Sequence, residues 1–371
     1  MRIAVPLEST PGELRVALAP DSVVRLVKGG HEIRIQAGAG VRAGFPDSTY
    51  AAAGGVIVDG PELYDGVTLV CRVQPPTRDE VEGMPREISL LSLLNPARNG
   101  DLLAQLAARG ITALALELVP RITRAQSMDV LSSQSTVAGY KAVLVGAAAL
   151  PKFLPMLTTA AGTVSPAKVF IIGAGVAGLQ AIATARRLGG VVSAFDVRPA
   201  AREQVQSLGA TFVASELVAA AAETSGGYAK AQSADDAQRT RDALSAHLRD
   251  MDLVVTTAQI PGRDAPRLIT AEMVGGMKPG SVIVDLAAES GGNCELTRAG
   301  ETVQSGMVTI LGPVNLAATV PFHASQMFSK NVVALVTHLS KDGALVIDAA
   351  DEITGPMTVV RDGAVVTASH S

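Results

Sequence analysis

The sequence predicts an α/β protein with two doubly wound parallel-sheet domains, and three observations carry that prediction. Its 371 residues are enough for two domains with a core each. Hydrophobic residues make up 48% of the chain but aromatic residues only 3%, so its cores must be built from Ala, Val, Leu and Ile. Short apolar runs rich in β-branched residues alternate with helix-like runs along most of the chain, which is typical of parallel sheets covered by helices on both faces.

The first domain is expected to comprise residues 1–134 and to be completed by residues 324–371. Apolar runs bounded by turn residues predict its strands, and runs with helical spacing predict the helices between them. The strands are expected at Arg2–Pro6, His31–Gln36, Val56–Asp59, Val67–Val73, Ile88–Leu94 and Ile111–Val119, and the helices at Ser22–Lys28 and Leu102–Arg109. This domain has no glycine-rich motif of its own, so we do not expect it to hold a dinucleotide.

The second domain, residues 135–323, contains the most informative motif of the chain. Val169–Ile172 is an apolar, β-branched run typical of a strand buried on both faces of a sheet. Three glycines with G-x-G-x-x-G spacing follow it. Gly173 allows a tight turn, Gly175 lets the backbone approach a pyrophosphate, and Gly178 lets the next helix pack closely on the sheet. This order of features predicts a dinucleotide-binding Rossmann domain.

The residues after the glycines extend the same motif. A helix is expected at Leu179–Leu188, ended by Gly189-Gly190, and a second strand at Val191–Phe195. Asp196 closes that strand about 20 residues after the glycines, where a carboxylate can accept hydrogen bonds from a ribose 2′-hydroxyl. A carboxylate there repels a 2′-phosphate, which favours NAD(H) over NADP(H). Arg198 weakens that preference, because a nearby arginine can accept the phosphate.

Several longer segments connect these elements. Thr136–Leu150 is predicted to be an apolar helix that crosses into the second domain, and His323–Leu339 a helix that returns to the first. The polar stretch Ala214–Asp250 is either partly helical or a mobile functional loop. Within it, Ser225–Lys230 has the glycines and isolated tyrosine of a closing lid, although a flexible surface loop would have the same composition. Further strands are expected at Thr211–Val213, Leu253–Thr257, Ser281–Leu286, Val308–Leu311, Leu345–Ile347 and Thr358–Val360.

Composition excludes several classes of function. The formal charge of −4 provides no basic patch for nucleic acid. Met1 leads directly into a strand-like run without the regions of a signal peptide, so we expect a cytoplasmic protein. The longest uncharged stretch, Thr302–Ser329, is broken by prolines and polar residues, which argues against a direct membrane span. Cys71 and Cys294 are each isolated, which excludes a zinc spacing, and no metal is expected.

Four further segments have sequences too specific for composition to explain: Pro120–Ser135 with Ala138–Tyr140, Gly226–Lys230, Ala258–Gly262 and Met277–Asn293. They closely resemble the NAD(H)-binding alpha subunit, in its soluble alpha-1 form, of proton-translocating NAD(P) transhydrogenases. The resemblance runs through the whole chain. It implies two Rossmann-like domains, of which the first is flavodoxin-like and similar to that of alanine dehydrogenase.

The resemblance also implies roles for individual residues. Residues corresponding to Arg121, Gln126 and Asp129 form a loop beside the nicotinamide in that family. Ser132 would contact the carboxamide, and Tyr228 would lie on a mobile loop that folds over the nucleotide. The residues expected to bind the cofactor are Gly173, Gly175, Val176, Ala177, Gly178, Asp196, Val197, Arg198, Gly227, Ala258 and Gln259.

The function implied is that of the family. An enzyme of this family passes hydride from NADH, which this chain would bind, to NADP⁺ held on a partner. The type implied is the proton-translocating transhydrogenase and not the Si-specific one. The implied partners are an NADP(H)-binding beta subunit and a membrane-spanning subunit that couples the transfer to proton movement. The chain would form a homodimer and lie peripherally at the inner face of the cell membrane.

Two alternatives remain open, an alanine dehydrogenase-like amino-acid dehydrogenase and a non-catalytic NAD-binding module. The sequence shares Glu13–Ala17 with alanine dehydrogenases, so Arg15 aligns with their substrate-carboxylate arginine, although we assign it mainly to structure. The lysine and histidine of that family are replaced by Gln74 and Asn95. Amino-acid oxidation needs a group that titrates near neutrality, which an amide cannot supply. The polar loop Arg121–Ser132 counts against the non-catalytic module.

Overall fold

A computed structural model describes residues 1–213, 241, 243–260 and 263–366 of the chain. The chain divides into two compact units, Met1–Gln134 with Ala317–Ser371, and Ser135–Leu316. The boundary expected between residues 323 and 324 falls inside the helix Pro321–His338, which belongs entirely to the first unit. The other division, between Gln134 and Ser135, falls within a helix, Val130–Ala149.

The first unit is built on an eight-stranded sheet. The six strands from residues 1–134 are parallel, and the two strands from the C-terminal segment add antiparallel at one edge. Every strand expected in residues 1–134 is present, with ends within a few residues of the prediction. In spatial order the strands are Ala364–Val365, Thr358–Arg361, Thr112–Ala115, Ser89–Ser92, Leu69–Cys71, Arg2–Val5, Glu32–Gln36 and Val56–Val58.

Apolar clusters cover both faces of this sheet. One contains Ile3, Val5 and Phe328 and joins the sheet to the helix Pro321–His338, while the other contains Val70 and Leu106. Burial on both faces explains the continuous burial of the inner strands Leu69–Cys71 and Ser89–Ser92, whereas Glu32–Gln36, nearer one edge, alternates between buried and half-buried residues. The remaining helices are Pro20–Lys28, Asp47–Ala52, Arg78–Gly83, Gly100–Ala108 and Thr354–Met357, with 3₁₀ turns at Val41–Ala43, Gly60–Tyr64, Leu116–Leu118 and Thr123–Met128.

The second unit has a seven-stranded sheet, parallel except for one edge strand. Lys168–Ile172 lies in the middle and pairs with Val191–Phe195 on one side and Leu253–Thr256 on the other. The chain therefore leaves the central strand toward one edge and later returns to its other side, which is the switch point where α/β sheets bind ligands. The spatial order is Thr211–Phe212, Val191–Phe195, Lys168–Ile172, Leu253–Thr256, Val282–Asp285, Val308–Leu311 and Thr302–Ser305.

Two apolar clusters again cover the two sheet faces. The described helices of this unit include most of Val130–Ala149, together with Val176–Arg187, Ala201–Ser207, Ala271–Gly275 and the 3₁₀ turn Ala288–Ser290, and residues 243–248 are also helical. Leu244 and Leu248 are fully buried against the sheet, so the described end of the predicted polar stretch is an amphipathic helix. The predicted class of two doubly wound, Rossmann-like parallel-sheet domains is confirmed.

Several elements differ from the sequence prediction. The helix expected at Thr136–Leu150 spans Val130–Ala149 and so begins six residues earlier, within the polar loop. The loose segment after it contains a hairpin, Leu157–Thr159 with Gly162–Val164. The edge strand Thr302–Ser305 was not expected either. Strands of this kind are short and mainly exposed, so they lack the apolar run on which prediction relies.

The strand expected at Leu345–Ile347 is also different. In its place the chain forms a small hairpin of Ser340–Lys341 with Ala344–Leu345, which stands apart from the eight-stranded sheet. The strand expected at Thr358–Val360 does join that sheet. Of the helices in the described part of the chain, none is long and apolar enough to cross a bilayer.

Candidate functional site

The tight turn after the central strand of the second unit depends on Gly173, which has a φ of 95°. A Cβ at this position would lie 2.6 Å from the hydroxyl oxygen of Thr257 and 3.2 Å from the backbone nitrogen of Ala258. The Thr257 hydroxyl in turn donates a hydrogen bond to the Gly173 carbonyl, at 3.0 Å. Only glycine combines this φ with so little space, so the first glycine of the motif joins two neighbouring strand ends.

Gly178 and Gly175 have opposite surroundings. A Cβ at Gly178 would overlap the carbonyl oxygen of Gly173, so the glycine is needed for the helix to approach the strand. A Cβ at Gly175, in contrast, would meet no protein atom within 4 Å. Gly175 is the N-cap of the helix Val176–Arg187, and no side chain caps that end. The structure therefore leaves open space beside the backbone where the motif predicts a pyrophosphate.

The helix Val176–Arg187 points its positive dipole end into this space. Val176 is 39% exposed in the first turn, while Ala177 is packed so tightly that a Cβ on Gly139 would overlap its carbonyl oxygen. At the other end Gly189 has a φ of 87°, and the Gly190 amide donates to the Ala185 carbonyl at 3.0 Å. This is the predicted glycine cap, with Gly189 alone in the left-handed region.

Asp196 lies against the glycine turn, as the spacing predicts. One carboxylate oxygen, Oδ2, accepts the Ala174 amide at 2.7 Å and Nη2 of Arg198 at 2.9 Å. The other, Oδ1, accepts the backbone amide of Arg198 at 2.8 Å and its Nε at 2.9 Å. Asp196 is buried, and Val197 between the two charged residues is half-buried. The carboxylate and the guanidinium, predicted as competing influences on cofactor choice, thus form one ion pair.

Ala258 and Gln259 follow the strand Leu253–Thr256 and reach the same end of the sheet. Asn293, fully buried, fixes Ala258: its Oδ1 accepts the Ala258 amide at 3.0 Å, and its Nδ2 donates to the Ala258 carbonyl at 2.8 Å. The Gln259 side chain donates to the Leu286 carbonyl at 3.0 Å. Sequence reasoning did not assign Asn293 or Thr257 to the site, because side chain to backbone contacts between distant segments leave no local pattern.

The polar loop residues lie in the first unit. Arg121 is exposed two residues before a short 3₁₀ turn, Thr123–Met128, and Gln126 is exposed within that turn, which is held from beneath by buried Ala125. Asp129 precedes the helix Val130–Ala149 and accepts the Ser132 amide at 2.9 Å and the Ser132 hydroxyl at 2.6 Å. Asp129 therefore caps the helix, which explains why the helix begins earlier than its apolar pattern suggests.

Two contacts anchor this loop to the C-terminal segment of the same unit. Nδ2 of Asn331, on the helix Pro321–His338, donates to the Ser127 carbonyl at 2.8 Å. Arg124 pairs with Asp351 at 3.0 Å and with Glu352 at 2.5 Å. A long-range hydrogen bond and an ion pair at separate points limit how far the loop can move.

The remaining predicted residues are Tyr228 and Gly227. Both lie outside the described residues, as does the whole of the lid candidate Ser225–Lys230. Within the described ranges, no cluster of three His, Cys, Asp or Glu side chains could hold a metal ion.

Two models of one protein family match nearly the whole chain. The N-terminal domain model of alanine dehydrogenase/PNT covers residues 4–138, and the C-terminal domain model covers residues 142–368. The chain belongs to the alanine dehydrogenase/PNT family. The resemblance inferred from the motif residues is thereby confirmed.

Relatives within this family include both transhydrogenase subunits and alanine dehydrogenases. The chain is 46% identical to the first part of the NAD(P) transhydrogenase alpha subunit of Rhodospirillum rubrum, over 99% of this chain and 98% of that protein. The crystal structure of a transhydrogenase from Sinorhizobium meliloti matches with a TM-score of 0.90 and 43% identity, over 99% and 100% of the two chains. An L-alanine dehydrogenase structure matches with a TM-score of 0.83 and 29% identity, over 99% and 97%.

Gln74 and Asn95, the positions expected to differ from alanine dehydrogenases, lie in the first unit. The Gln74 amide donates to Oε2 of Glu13 at 2.8 Å. Glu13 also forms a paired contact with the buried Arg15 guanidinium, whose Nε and Nη2 reach its two oxygens at 2.8 and 2.6 Å. Nη1 of Arg15 donates to Gln134 at 2.8 Å. Asn95 is exposed, and its backbone amide is bound by Glu117. Arg15 and Gln74 are thus joined through one buried carboxylate.

Proposed function

We propose that this chain is the NAD(H)-binding subunit of a proton-translocating NAD(P) transhydrogenase. One observation carries the proposal: an open space at Gly175, the N-terminus of the helix Val176–Arg187 and the Asp196 carboxylate meet at the end of one glycine turn. These are the groups that a pyrophosphate and a ribose need. The 46% identity to a transhydrogenase alpha subunit supports the choice of reaction.

A bound nicotinamide would supply the hydride donor. The residues of this chain would bind the nucleotide, orient its nicotinamide ring and exclude water from it. Gly175 and the helix amides would hold the pyrophosphate. Ala258, fixed by Asn293, and Gln259, bound to the Leu286 carbonyl, would form the wall beside it. Such holding matters because hydride transfer requires the two reacting carbons to approach to about 3 to 3.5 Å.

We expect the loop Arg121–Ser132 to act on the nicotinamide, as the family resemblance implies. Gln126 is exposed and carries both a donor and an acceptor, so it could contact a ribose or carboxamide of a second nucleotide. The Ser132 hydroxyl, bound to Asp129, has its direction fixed and could hold a carboxamide. Arg121 would add a positive charge beside the transferring groups.

The reaction moves a hydride between two nicotinamides and therefore requires no acid or base. Gln74 and Asn95 agree with this, because neither amide can exchange a proton near neutral pH. Arg15, satisfied by Glu13 and Gln134, would retain a structural task.

The second nucleotide, NADP(H), would be bound by a partner beta subunit, because the described part of the chain offers one glycine motif of this kind. A separate membrane-spanning subunit would couple the transfer to proton movement. The chain would act as a homodimer at the inner face of the cell membrane, held there through the complex.

The test combines the purified chain with an isolated NADP(H)-binding transhydrogenase domain. The chain alone should not reduce NADP⁺ with NADH, whereas the mixture should, because transfer requires only that the two rings meet. In the mixture Gln126→Asn should slow single-turnover hydride transfer by about 10 to 100-fold, as expected for a displacement of about 1 Å. The affinity for NADH should change little.

The matched control is Gln206→Asn, which makes the same change on an exposed helical surface outside the site and should leave the rate intact. An unchanged rate for Gln126→Asn with both nucleotides bound would remove the loop from the mechanism. Absence of any transfer in the wild-type mixture would refute the proposed function itself.

A further inference from the structure

The Asp196 carboxylate has no acceptor position left for a ribose. A carboxylate offers about four lone-pair positions, two on each oxygen. Oδ1 accepts the backbone amide and Nε of Arg198, and Oδ2 accepts the Ala174 amide and Nη2 of Arg198. All four contacts are between 2.7 and 2.9 Å, so all are full hydrogen bonds.

The four contacts are of two kinds. The Ala174 and Arg198 amides belong to the backbone and are fixed by the glycine turn and by the turn after the strand. The other two come from the Arg198 side chain, which can rotate away. Its two contacts occupy one position on each carboxylate oxygen. Their removal would open two neighbouring acceptor positions, which is what the two adjacent hydroxyls of a ribose require.

We infer that the Arg198 side chain competes with the adenosine ribose of the nucleotide for Asp196, and that this competition sets the preference between NADH and NADPH. The inference rests on the proposed NAD(H) site and deepens it. NADH must exchange the two guanidinium contacts for two hydroxyl contacts. NADPH brings a phosphate in place of the 2′-hydroxyl, and Arg198 both neutralises the carboxylate that would repel it and offers a donor fork to it.

The consequence is opposite in sign for the two nucleotides. Arg198→Met keeps the length of the side chain but removes the competing donors. The variant should bind NADH about tenfold more tightly, because NADH no longer has to displace the guanidinium and a tenfold change corresponds to about one charged hydrogen bond. NADPH should bind about tenfold more weakly, because its phosphate would meet an unscreened carboxylate. A merely structural role for Arg198 would weaken both nucleotides together.

The experiment titrates NADH and NADPH by fluorescence into the wild-type chain, Arg198→Met and Arg198→Lys. Lysine keeps the charge but lacks the planar fork, so NADH should gain less than with methionine and NADPH should stay near the wild-type affinity. The matched control is Arg202→Met, which removes an exposed charge on the next helix, where Arg202 lies over the Phe212 ring. It should leave both affinities within about twofold, since salt screens the charge of an exposed side chain.

A second ligand locates the effect at the ribose. An NADH analogue whose adenosine ribose lacks both hydroxyls should bind the wild-type chain and Arg198→Met equally. The inference is wrong if Arg198→Met and Arg198→Lys bind NADH no more tightly than the wild-type chain does. Equal gains for the analogue and for NADH would also overturn it. Failure of the wild-type chain to bind NADH at all would refute the proposed function, and the inference with it.

Discussion

At the scale of single residues, the three motif glycines are required for three different physical reasons. Gly173 needs a positive φ beside Thr257, Gly178 cannot hold a Cβ against the Gly173 carbonyl, and Gly175 faces open space. The first two are constraints on folding. Gly175 is not required by any contact within the protein, so we connect this glycine with a ligand.

A pair of alanine substitutions separates these roles. Gly175→Ala adds a methyl group where nothing lies within 4 Å, so the chain should keep its stability to within about 1 kcal/mol and lose NADH affinity by at least about tenfold. Gly178→Ala should lower the free energy of unfolding by about 1 to 3 kcal/mol, because the helix must move off the strand. Urea unfolding and NADH titration measure the two effects. Equal effects of both variants on stability would contradict the distinction.

The sequence indicated the residues of the glycine motif and Asp196, because strand, turn, helix and acid follow one another locally. It could not indicate that Arg198 saturates the carboxylate or that Asn293 fixes Ala258, since both depend on side-chain geometry. Buried polar side chains that bind a distant backbone can be recognised only once the strands have been placed next to one another.

At the scale of elements, the loop Arg121–Ser132 combines exposed polar residues with fixed ends. Buried Ala125 and Met128 hold it from beneath, and Asp129 turns it into the helix Val130–Ala149. Because Ser132 and its neighbours are polar, the sequence predicted that the loop would continue to Ser135 and that the helix would begin at Thr136. Helix capping by Asp129 overrides that pattern, which accounts for the early helix start.

Asn331 offers a way to loosen this loop without touching its exposed face. Its side chain is mainly buried and donates to the Ser127 carbonyl, so Asn331→Ala should lower the free energy of unfolding by about 1 to 2 kcal/mol. Hydride transfer in the reconstituted mixture should slow while NADH affinity stays the same. Lys330→Ala, an exposed change on the same helix, is the control. A loss of NADH affinity in Asn331→Ala alone would contradict a role confined to the loop.

The second anchor should depend on pH through Asp351. Burial opposes ionisation of this carboxyl, but hydrogen bonds from the Thr354 amide, His338 and the Ile353 amide outweigh it and hold its pKa well below the usual range. A folded-state pKa below the unfolded value of about 3.9 stabilises the protein at higher pH, and this stabilisation is lost as pH falls through the folded-state value. The first unit should therefore lose stability in acid.

Asp351→Asn tests this dependence. At pH 7 it should lower the free energy of unfolding by about 1 to 2 kcal/mol, and the difference from the wild-type chain should shrink as the pH falls below about 4. Urea unfolding at several pH values measures it. Asp362→Asn serves as the control, because Asp362 is exposed and pairs only with its neighbour Arg361, at 3.3 Å, among the contacts described. A difference independent of pH would show that the charge of Asp351 is not what matters.

At the scale of the whole molecule, the chain uses one architecture twice. Both units have parallel sheets covered on two faces, but the glycine motif follows the central strand of the second sheet alone among the described strands. Apolar runs that alternate along the chain with helix-like runs were enough to predict both sheets. They could not predict the antiparallel edge strands Ala364–Val365 and Thr302–Ser305, because partially exposed edges need few apolar residues.

The family contains alanine dehydrogenases as well as transhydrogenases, so the whole chain should be tested for the other activity. With NAD⁺ and L-alanine, or NADH with pyruvate and ammonia, we expect no turnover between about pH 6 and about pH 10. The reason is chemical: oxidative deamination moves protons, and where the resemblance implies the lysine and histidine of alanine dehydrogenases we expect Gln74, bound to Glu13, and Asn95. An alanine dehydrogenase assayed in parallel shows that the conditions permit the reaction. Steady turnover by this chain, abolished by Arg15→Met but not by Gln126→Asn, would assign it to amino-acid oxidation, because the resemblance implies that Arg15 aligns with the substrate-carboxylate arginine of alanine dehydrogenases.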